Sequence, residues 1–451
     1  MTQYKMFIGP HIPSTVPPDI ALSSLRRVDE ERTSIEEPRA SSHDSELRND
    51  EPPTGATVFT PPPVSAIKFQ LFAMNFATFL AGLNDAATGA LVPYLQPAYN
   101  IGLLFIALVY LANFAGWTVA AFSNLHLHSR IGTGGVMLLG ATLQLTAHAI
   151  QLSKPPYPVF VLTYFLVGIG IAFQDAQANA FVGGVNNAHR WLGILHALYG
   201  VGALISPLVA TRIATTTSHW EWFYAVLLGT AGVNVVCITA AFWEGIGKGA
   251  QGAKERANKD LSKTVQNRTV LLMSAFFFLY VGTEVTAGGW VVEFLIRVRG
   301  GEPSHVGYVA SGFWGGLTLG RILLADITFR LGERRMIFLY ILLALIVQFI
   351  FWFVPNIIAN AVMISLLGFF IGPFFPTGIN VATKLIPREL HVSAIGFMAT
   401  TGQAGSAAFP FLTGAIAAKV GVQVLQPVLV GLLVGMVGLW AAVPRVTRRD
   451  A

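Results

Sequence analysis

The stretch GIGIAFQDAQAN, residues 168–179, decides how the rest of the chain is interpreted. It lies in an apolar run from about residue 155 to 186, longer than the roughly 20 residues of helix that cross a bilayer. Asp175 sits well inside this run, where an ionised side chain costs about 2.5–3.5 kcal/mol on insertion scales. A membrane helix tolerates such a group only if the carboxylate faces protein or water, or is protonated. Because Gln174 and Asn179 stand beside it, we interpret the stretch as a polar site inside a helical bundle.

The composition is that of a membrane protein. Of the 451 residues, 53% are hydrophobic and only 12% are charged, whereas soluble domains carry about 25% charged residues. The excess positive charge sits in short loops between apolar runs, so no nucleic-acid partner is needed to explain it. The single cysteine, Cys237, is interpreted as helix packing. Histidine and cysteine form no cluster at ligand spacing and no phosphate loop is present, so no metal or other cofactor is expected.

Twelve apolar spans follow a polar N-terminal segment, which predicts an all-α membrane protein. Residues 1–64 are rich in Pro, Ser, Arg and Glu and show little apolar periodicity, so a disordered tail is expected. We see no cleaved signal peptide in it. The approximate limits of the spans are 66–93, 101–124, 133–152, 156–184, 191–214, 221–243, 269–296, 304–328, 336–354, 357–381, 391–418 and 423–443.

Lysine and arginine predict the orientation in the membrane. With a cytoplasmic N-terminus, 17 of these residues fall on the inner side and five on the outer side, so both termini are expected in the cytoplasm. We expect an N-terminal half at 65–243, a cytoplasmic linker at 244–267, a C-terminal half at 268–444 and a cytoplasmic C-terminus at 445–451. The plasma membrane is the favoured location, and an internal membrane is the alternative.

The two halves match at an offset of about 200 residues. The matching pairs are Gly82 and Gly282, Gly89 and Gly289, Gly116 and Gly316, Thr118 and Thr318, Arg130 and Arg330, Gly132 and Gly332, and Gly168 and Gly368. Glycine is abundant, but a shared register that includes Arg and Thr is harder to ascribe to chance. Two six-helix halves related by an axis along the membrane normal would place a substrate site between them, near the midplane.

With its twelve spans, repeat and long middle loop, the chain resembles a permease of the major facilitator superfamily. It also resembles the family in one loop motif, made of Gly320, Arg321, Asp326, Arg330, Gly332, Arg334 and Arg335. In the family this motif helps to lock the cytoplasmic side closed. The resemblance therefore implies a conformational gate at Arg321, Asp326, Arg330 and Arg334. We expect Arg321 to pair with Asp326 or with carbonyl oxygens near the inner mouth.

Within the superfamily, three motifs resemble the fucose–proton symporter branch and related fungal permeases. They are GLND ending at Asp85, QDAQAN from Gln174 to Asn179, and GTE ending at Glu284. In the family fold the first, fourth and seventh spans line the central cavity, so the resemblance implies that the three acids meet there. Three uncompensated charges would cost about 8–10 kcal/mol, which protonation would largely remove. We expect Asp85, Asp175 and Glu284 to couple protons to transport; the alternative is a protonated acid bonded to a neighbouring helix.

Polar and aromatic side chains near these acids are the candidates for substrate binding. They are Asn84, Gln174, Asn179, His196, Tyr280 and Asn380. Aromatic planes beside amide and carboxyl groups suit a sugar or another polyhydroxyl ring, although the same aromatics are also common in plain packing. His196 has the alternative role of a satisfied core histidine, and Asn380 is expected to be the counterpart of Asn179 in the C-terminal half.

The sequence therefore predicts a secondary active transporter and not an enzyme. Its expected partners are protons, a small polar solute of sugar-like type and the lipid bilayer, and a monomer is expected. Two other functions stay open at this point. One is proton-driven export of an organic metabolite or toxin, and the other is a membrane nutrient receptor that does not transport.

Overall fold

The computed structural model describes residues 64–185, 188–249 and 262–445. The predicted disordered tail lies outside these residues except for Val64, and so do residues 250–261 of the predicted linker. Helices make up nearly all of the described chain, which contains no strand, so the predicted all-α class is confirmed.

Thirteen α-helices in the described residues form the framework of the protein. They are α1 Val64–Tyr99, α2 Leu103–Leu152, α3 Tyr157–Gly183, α4 Ala188–Thr217, α5 Phe223–Phe242, α6 Arg268–Arg299, α7 Pro303–Val306, α8 Val309–Leu331, α9 Glu333–Phe353, α10 Ile357–Ile371, α11 Phe374–Leu385, α12 His391–Val420 and α13 Leu425–Ala442. The long α2 contains the second and third predicted spans as two helical parts that meet at a kink, because Gly132 has the non-helical angles φ 71° and ψ 176°.

Eight segments of the described chain are long and apolar enough to cross a membrane. The helices α1, α8 and α12 are also long but fall outside this group. The structure thus shows a helical membrane bundle, while the number of twelve spans stays a prediction.

One pattern of helix crossing occurs twice, at the offset that the sequence predicts. Between α2 and α3, Gly116 packs on the backbone of Phe165 and Gly168 on that of Asn113. Between α8 and α10, the same contacts join Gly316 to Ser365 and Gly368 to Phe313. A β-carbon at any of these four glycines would collide with backbone atoms, so small residues set the distance between the helices.

The helix α1 occupies a central position, because it packs on both α4 and α6. Gly82 lies against the backbone of Tyr199 on α4, which brings the Tyr199 side chain to the level of Asp85. Two turns further along, Gly89 lies against the backbone of Gly288 and Gly289 on α6. These contacts bring the acidic residues of α1 and α6 into the interior of one bundle.

Candidate functional site

A small, partly enclosed cavity lies beside α1 and contains two of the three predicted acids. Its lining consists of Ala77, Thr78, Ala81, Asp85, Trp117, Ile171, Gln174, Asp175, Tyr199 and Gln403. Nine of these residues come from α1 to α4, and Gln403 comes from α12. The cavity thus joins helices that are far apart in the sequence.

Within the described residues, the donors that bind Asp85 are both neutral. Its Oδ2 atom accepts a hydrogen bond of 3.0 Å from the Tyr199 hydroxyl, and its Oδ1 atom accepts one of 3.2 Å from Nδ2 of Asn84. Asn84 is buried, whereas Asp85 is partly exposed toward the cavity. Asn84, a predicted substrate-binding residue, thus orients the carboxyl group from outside the cavity wall, and its contact with substrate stays a prediction.

Asp175 has a similar neutral environment on α3. Its Oδ1 atom accepts a 2.9 Å hydrogen bond from Nδ2 of Asn179, one turn later, and the same nitrogen also bonds the Asp175 carbonyl. Within the described residues, no Lys, Arg or His side chain forms an ion pair with Asp85 or Asp175. These two carboxyl groups can each carry or release a proton without breaking an ion pair.

Glu284 differs, because it forms a buried ion pair with Arg321 of α8. The two Glu284 carboxylate oxygens accept bonds of 3.2 and 3.3 Å from Arg321 Nη2, which also donates to the Tyr280 hydroxyl at 3.1 Å. The two charged side chains are only 5% and 11% exposed. The expected pairing of Arg321 with Asp326 or with carbonyl oxygens is therefore wrong in this conformation, because the buried carboxylate on α6 lies within reach.

Gln174 lines the cavity and also connects three helices by hydrogen bonds. Its Oε1 atom accepts bonds from Gln144 at 2.8 Å and from Asn234 at 3.1 Å, and its Nε2 atom donates to the Met137 carbonyl at 3.2 Å. These bonds hold α2, α3 and α5 together. Because they engage both ends of the Gln174 amide, that group has little hydrogen-bonding capacity left for a substrate.

His196 lies at the boundary between α4 and α11. Its ring packs on Phe375 with a centroid distance of 5.3 Å, and the side chain is only partly buried. This position is near Arg321 and outside the wall of the cavity, so substrate binding by His196 stays a prediction.

Asn380 does not join the predicted set. Its side chain is exposed and donates to Glu333, whose carboxylate also accepts two 2.8 Å bonds from Lys384. The expectation that it mirrors Asn179 at the site is wrong. Only Gly372 and Pro373, both with right-handed helical backbone angles, separate α10 from α11, and the Asn380 side chain is bound by Glu333 beyond this junction.

The four predicted gate residues do not form one cluster in this conformation. Arg321 points to Glu284, whereas Asp326 and Arg330 are exposed on the last turns of α8. Arg334 donates to the carbonyl oxygens of Ala441 and Val443 and so caps the end of α13. The structure therefore gives Arg334 a clear stabilising contact, while a gate made of these four residues stays a prediction.

Sequence reasoning missed five polar residues, two of which line the cavity and three of which join α1 to α6. Tyr199 and Gln403 line the cavity. Glu293 is only 2% exposed and accepts a 2.8 Å bond from Gln96 of α1, as well as a bond from Arg297 one turn away. Arg297 in turn donates to Gln96 at 2.6 Å, which closes a ring between α1 and α6. The spacing of Glu293 and Arg297 was the only sequence signal for this ring.

This architecture, a helical membrane bundle with a polar interior cavity, is that of a membrane transporter. The profile described as Major Facilitator Superfamily matches residues 74–410 and, in a second overlapping match, residues 272–451. The chain belongs to this superfamily. It is a multi-pass membrane transporter of small-molecule substrates, as the family resemblance predicted.

Two proteins are similar to this chain in sequence, and one solved structure is similar to it in fold. The yeast Saccharomyces cerevisiae protein called Bypass of stop codon protein 6 is 28% identical over 85% of this chain and 84% of its own length. A glucose/mannose transporter of Bacillus subtilis is 22% identical over 74% of this chain and 85% of its own length. The solved structure of the E. coli fucose:proton symporter FucP has a TM-score of 0.59 at 15% identity, over 84% of this chain and 99% of that one, which shows a shared fold.

Proposed function

We propose that this protein is a secondary active transporter that couples protons to the movement of a small, sugar-like solute. The observation that carries this proposal is the cavity that Asp85 and Asp175 both line, where the side chains that bond them in the described part of the chain are all neutral. Burying two such charges is costly in the absence of a cation, so proton binding is favoured when the cavity is closed to water. Opening the cavity to a more alkaline side would release the protons.

The proposed mechanism is alternating access between two six-helix halves, at residues 65–243 and 268–444. The repeated glycine crossings support two equivalent halves, because α2 pairs with α3 as α8 pairs with α10. Twelve spans with both termini in the cytoplasm, a monomer and a plasma-membrane location complete the proposal. The positive charge of the predicted inner loops supports this orientation.

In this mechanism the three acids have different roles. Asp85 and Asp175 carry protons, because neither is neutralised by a basic side chain in the described chain. Glu284 acts through Arg321: the pair fixes α6 against α8 and orients Tyr280. Proton coupling is therefore assigned to two of the three predicted acids, with Glu284 as a positioning residue.

A sugar-like solute is supported by the wall of the cavity and by the relatives. Trp117 and Tyr199 present aromatic surface beside carboxyl and amide groups, a combination that suits a ring with hydroxyl groups. A related protein of Bacillus subtilis bears the name of a glucose/mannose transporter, and the E. coli protein of the same fold is a fucose:proton symporter. Both names point to the same chemical class of solute.

Uptake by vesicles that contain the purified protein tests this function. D-Glucose, D-mannose and L-fucose are offered under an inward proton gradient, under an inward sodium gradient and without a gradient. We expect accumulation of at least one sugar only with the proton gradient, together with alkalinisation of the outer medium. Accumulation driven by sodium alone, or none of the three sugars transported, would contradict the proposal. The Glu389→Gln variant, altered at an exposed position between α11 and α12, is the control and should retain uptake.

A further inference from the structure

We propose that Gln403 is a substrate-binding residue that recognises a hydroxyl group of a neutral polyhydroxyl solute together with Asp85 and Asp175. The inference rests on the proposed function and adds a residue that the sequence does not single out. Its starting point is the composition of the cavity wall, in which Gln403 is the one residue that does not belong to α1–α4.

The position of Gln403 is fixed by close packing of α12 on α6. Gly405 lies directly against the backbone of Phe278, and Gly402 lies near Phe277 and Val281. Both glycines are on the face of α12 that contacts α6. Gln403 directly follows Gly402 in the chain and therefore lies beside this face. The helix has little freedom to rotate, so its amide is held at the cavity.

The amide group is also oriented. The Ser406 hydroxyl lies 3.2 Å from Gln403 Oε1 and 2.7 Å from the Gln403 carbonyl oxygen. Within the described residues, the Nε2 atom has no hydrogen-bond acceptor, which leaves the donor end of the amide available. The cavity therefore has an N–H donor on one wall and two carboxyl groups on the other.

A hydroxyl group is the substrate group that fits this arrangement. It accepts from an amide N–H and at the same time donates to a carboxylate, so it can bridge Gln403 to Asp85 or Asp175. A carboxylate or phosphate on the solute would face two carboxyl groups, and an ammonium group could bond the carboxyl groups but could not accept from the amide N–H of Gln403. The indole of Trp117 offers an apolar surface for the C–H groups of a sugar ring.

Such a bridge would make binding depend on the conformation of the transporter. Asp85 and Asp175 belong to the predicted N-terminal half, and Gln403 belongs to the predicted C-terminal half. A solute that touches both walls stabilises the closed arrangement, whereas a solute bound by one wall alone favours neither conformation. Gln403 would thus select solutes that can drive closure.

Binding measurements on the purified full-length protein test this role. Isothermal titration with D-glucose, D-mannose and L-fucose is carried out on the wild type, Gln403→Leu and Gln403→Met. Thr401→Val is the matched control on the same helix, because the Thr401 hydroxyl bonds its own backbone, at Phe397. We expect about tenfold weaker binding by both Gln403 variants, and a change below about twofold in the control.

Monodeoxy derivatives of the sugar that binds separate recognition from a general loss of structure. One of them should bind the wild type about tenfold more weakly and be insensitive to Gln403→Leu, because the bridged hydroxyl is already missing. Wild-type affinity in either Gln403 variant overturns the inference and leaves the proposed function intact. If the wild type neither binds nor transports any of the three sugars, the inference and the proposed function fail together.

Discussion

The three predicted acids differ in whether a cation neutralises them, and this difference matters for transport. Glu284 is buried against the guanidinium of Arg321, at 3.2 Å, and is neutralised by it. Asp85 and Asp175 are bound by Tyr199, Asn84 and Asn179, which are all uncharged. Three acids that look equivalent in the sequence thus divide into one structural ion pair and two unpaired groups at a cavity.

This difference separates stability from coupling. Removing one partner of a buried ion pair leaves the other charge uncompensated, whereas neutralising an unpaired buried acid removes an unfavourable charge. The Glu284–Arg321 pair should therefore matter most for folding. Asp85 and Asp175 should matter most for the response of transport to pH.

The largest effect is expected for Arg321→Met. The variant leaves Glu284 buried without its partner, and the free energy of unfolding should fall by about 3–5 kcal/mol. Denaturation of the purified protein in mixed detergent micelles measures this change. The double variant Arg321→Met/Glu284→Leu should recover most of the loss, because neither charge of the pair remains. An equally unstable double variant would show that the pair is not the cause.

Asp85→Asn should leave the stability of the protein nearly unchanged and abolish proton coupling. We expect the free energy of unfolding to change by no more than about 1 kcal/mol, because Tyr199 can still bond the amide oxygen. Proton-driven accumulation should be lost, while exchange of solute across the membrane without a gradient continues. Asp175→Asn is expected to act in the same direction. Unchanged accumulation in both variants would remove the two acids from the coupling mechanism.

Tyr199→Phe should have a smaller effect on the same site. The variant keeps the ring that packs on Trp314 at 6.5 Å and removes only the hydroxyl that bonds Asp85. Uptake should fall about five- to thirtyfold, the equivalent of a bond to a charged group of about 1–2 kcal/mol. In the double variant with Asp85→Asn no further loss is expected. Tyr340→Phe, at a hydroxyl that lies 3.1 Å from Thr328, is the control and should leave uptake unchanged.

The smallest effect is expected for Asn380→Ala, compared with Asn179→Ala. Asn179 bonds Asp175, so its loss should reduce uptake severalfold, whereas Asn380 is exposed beside Glu333 and Lys384. Its variant should keep uptake within about twofold of the wild type, since surface substitutions usually act weakly. Transport assays on both variants are sufficient. Equal losses would restore the symmetry between the two asparagines that the repeat predicts.

The sequence predicts the helical class and the acidic residues well, because both depend on local composition. A carboxylate inside an apolar run is conspicuous, and Asp85, Asp175 and Glu284 all lie in the interior of the bundle. The glycines that recur at an offset of about 200 residues also predict the repeat, because this spacing can be seen directly in the sequence. The matched glycines, such as Gly168 and Gly368, form equivalent contacts.

The partners of these residues could not be predicted, because they depend on which helices are neighbours. Arg321 lies 37 residues after Glu284, and Tyr199 lies 114 residues after Asp85. Sequence spacing carries no information at such separations. Asn380 shows a second limit: a repeat predicts a position along the chain, but it does not predict that Glu333 lies within hydrogen-bond reach of the exposed side chain.

The ring of Gln96, Glu293 and Arg297 has a consequence for how easily α1 and α6 can part. Both charged members are on α6, one helical turn apart, and α1 contributes only a neutral amide. Separation of the helices would break the two bonds of Gln96 and leave the ion pair intact. No isolated charge would form at any stage of that movement, so the ring could hold the helices together and still release them on the timescale of a transport cycle.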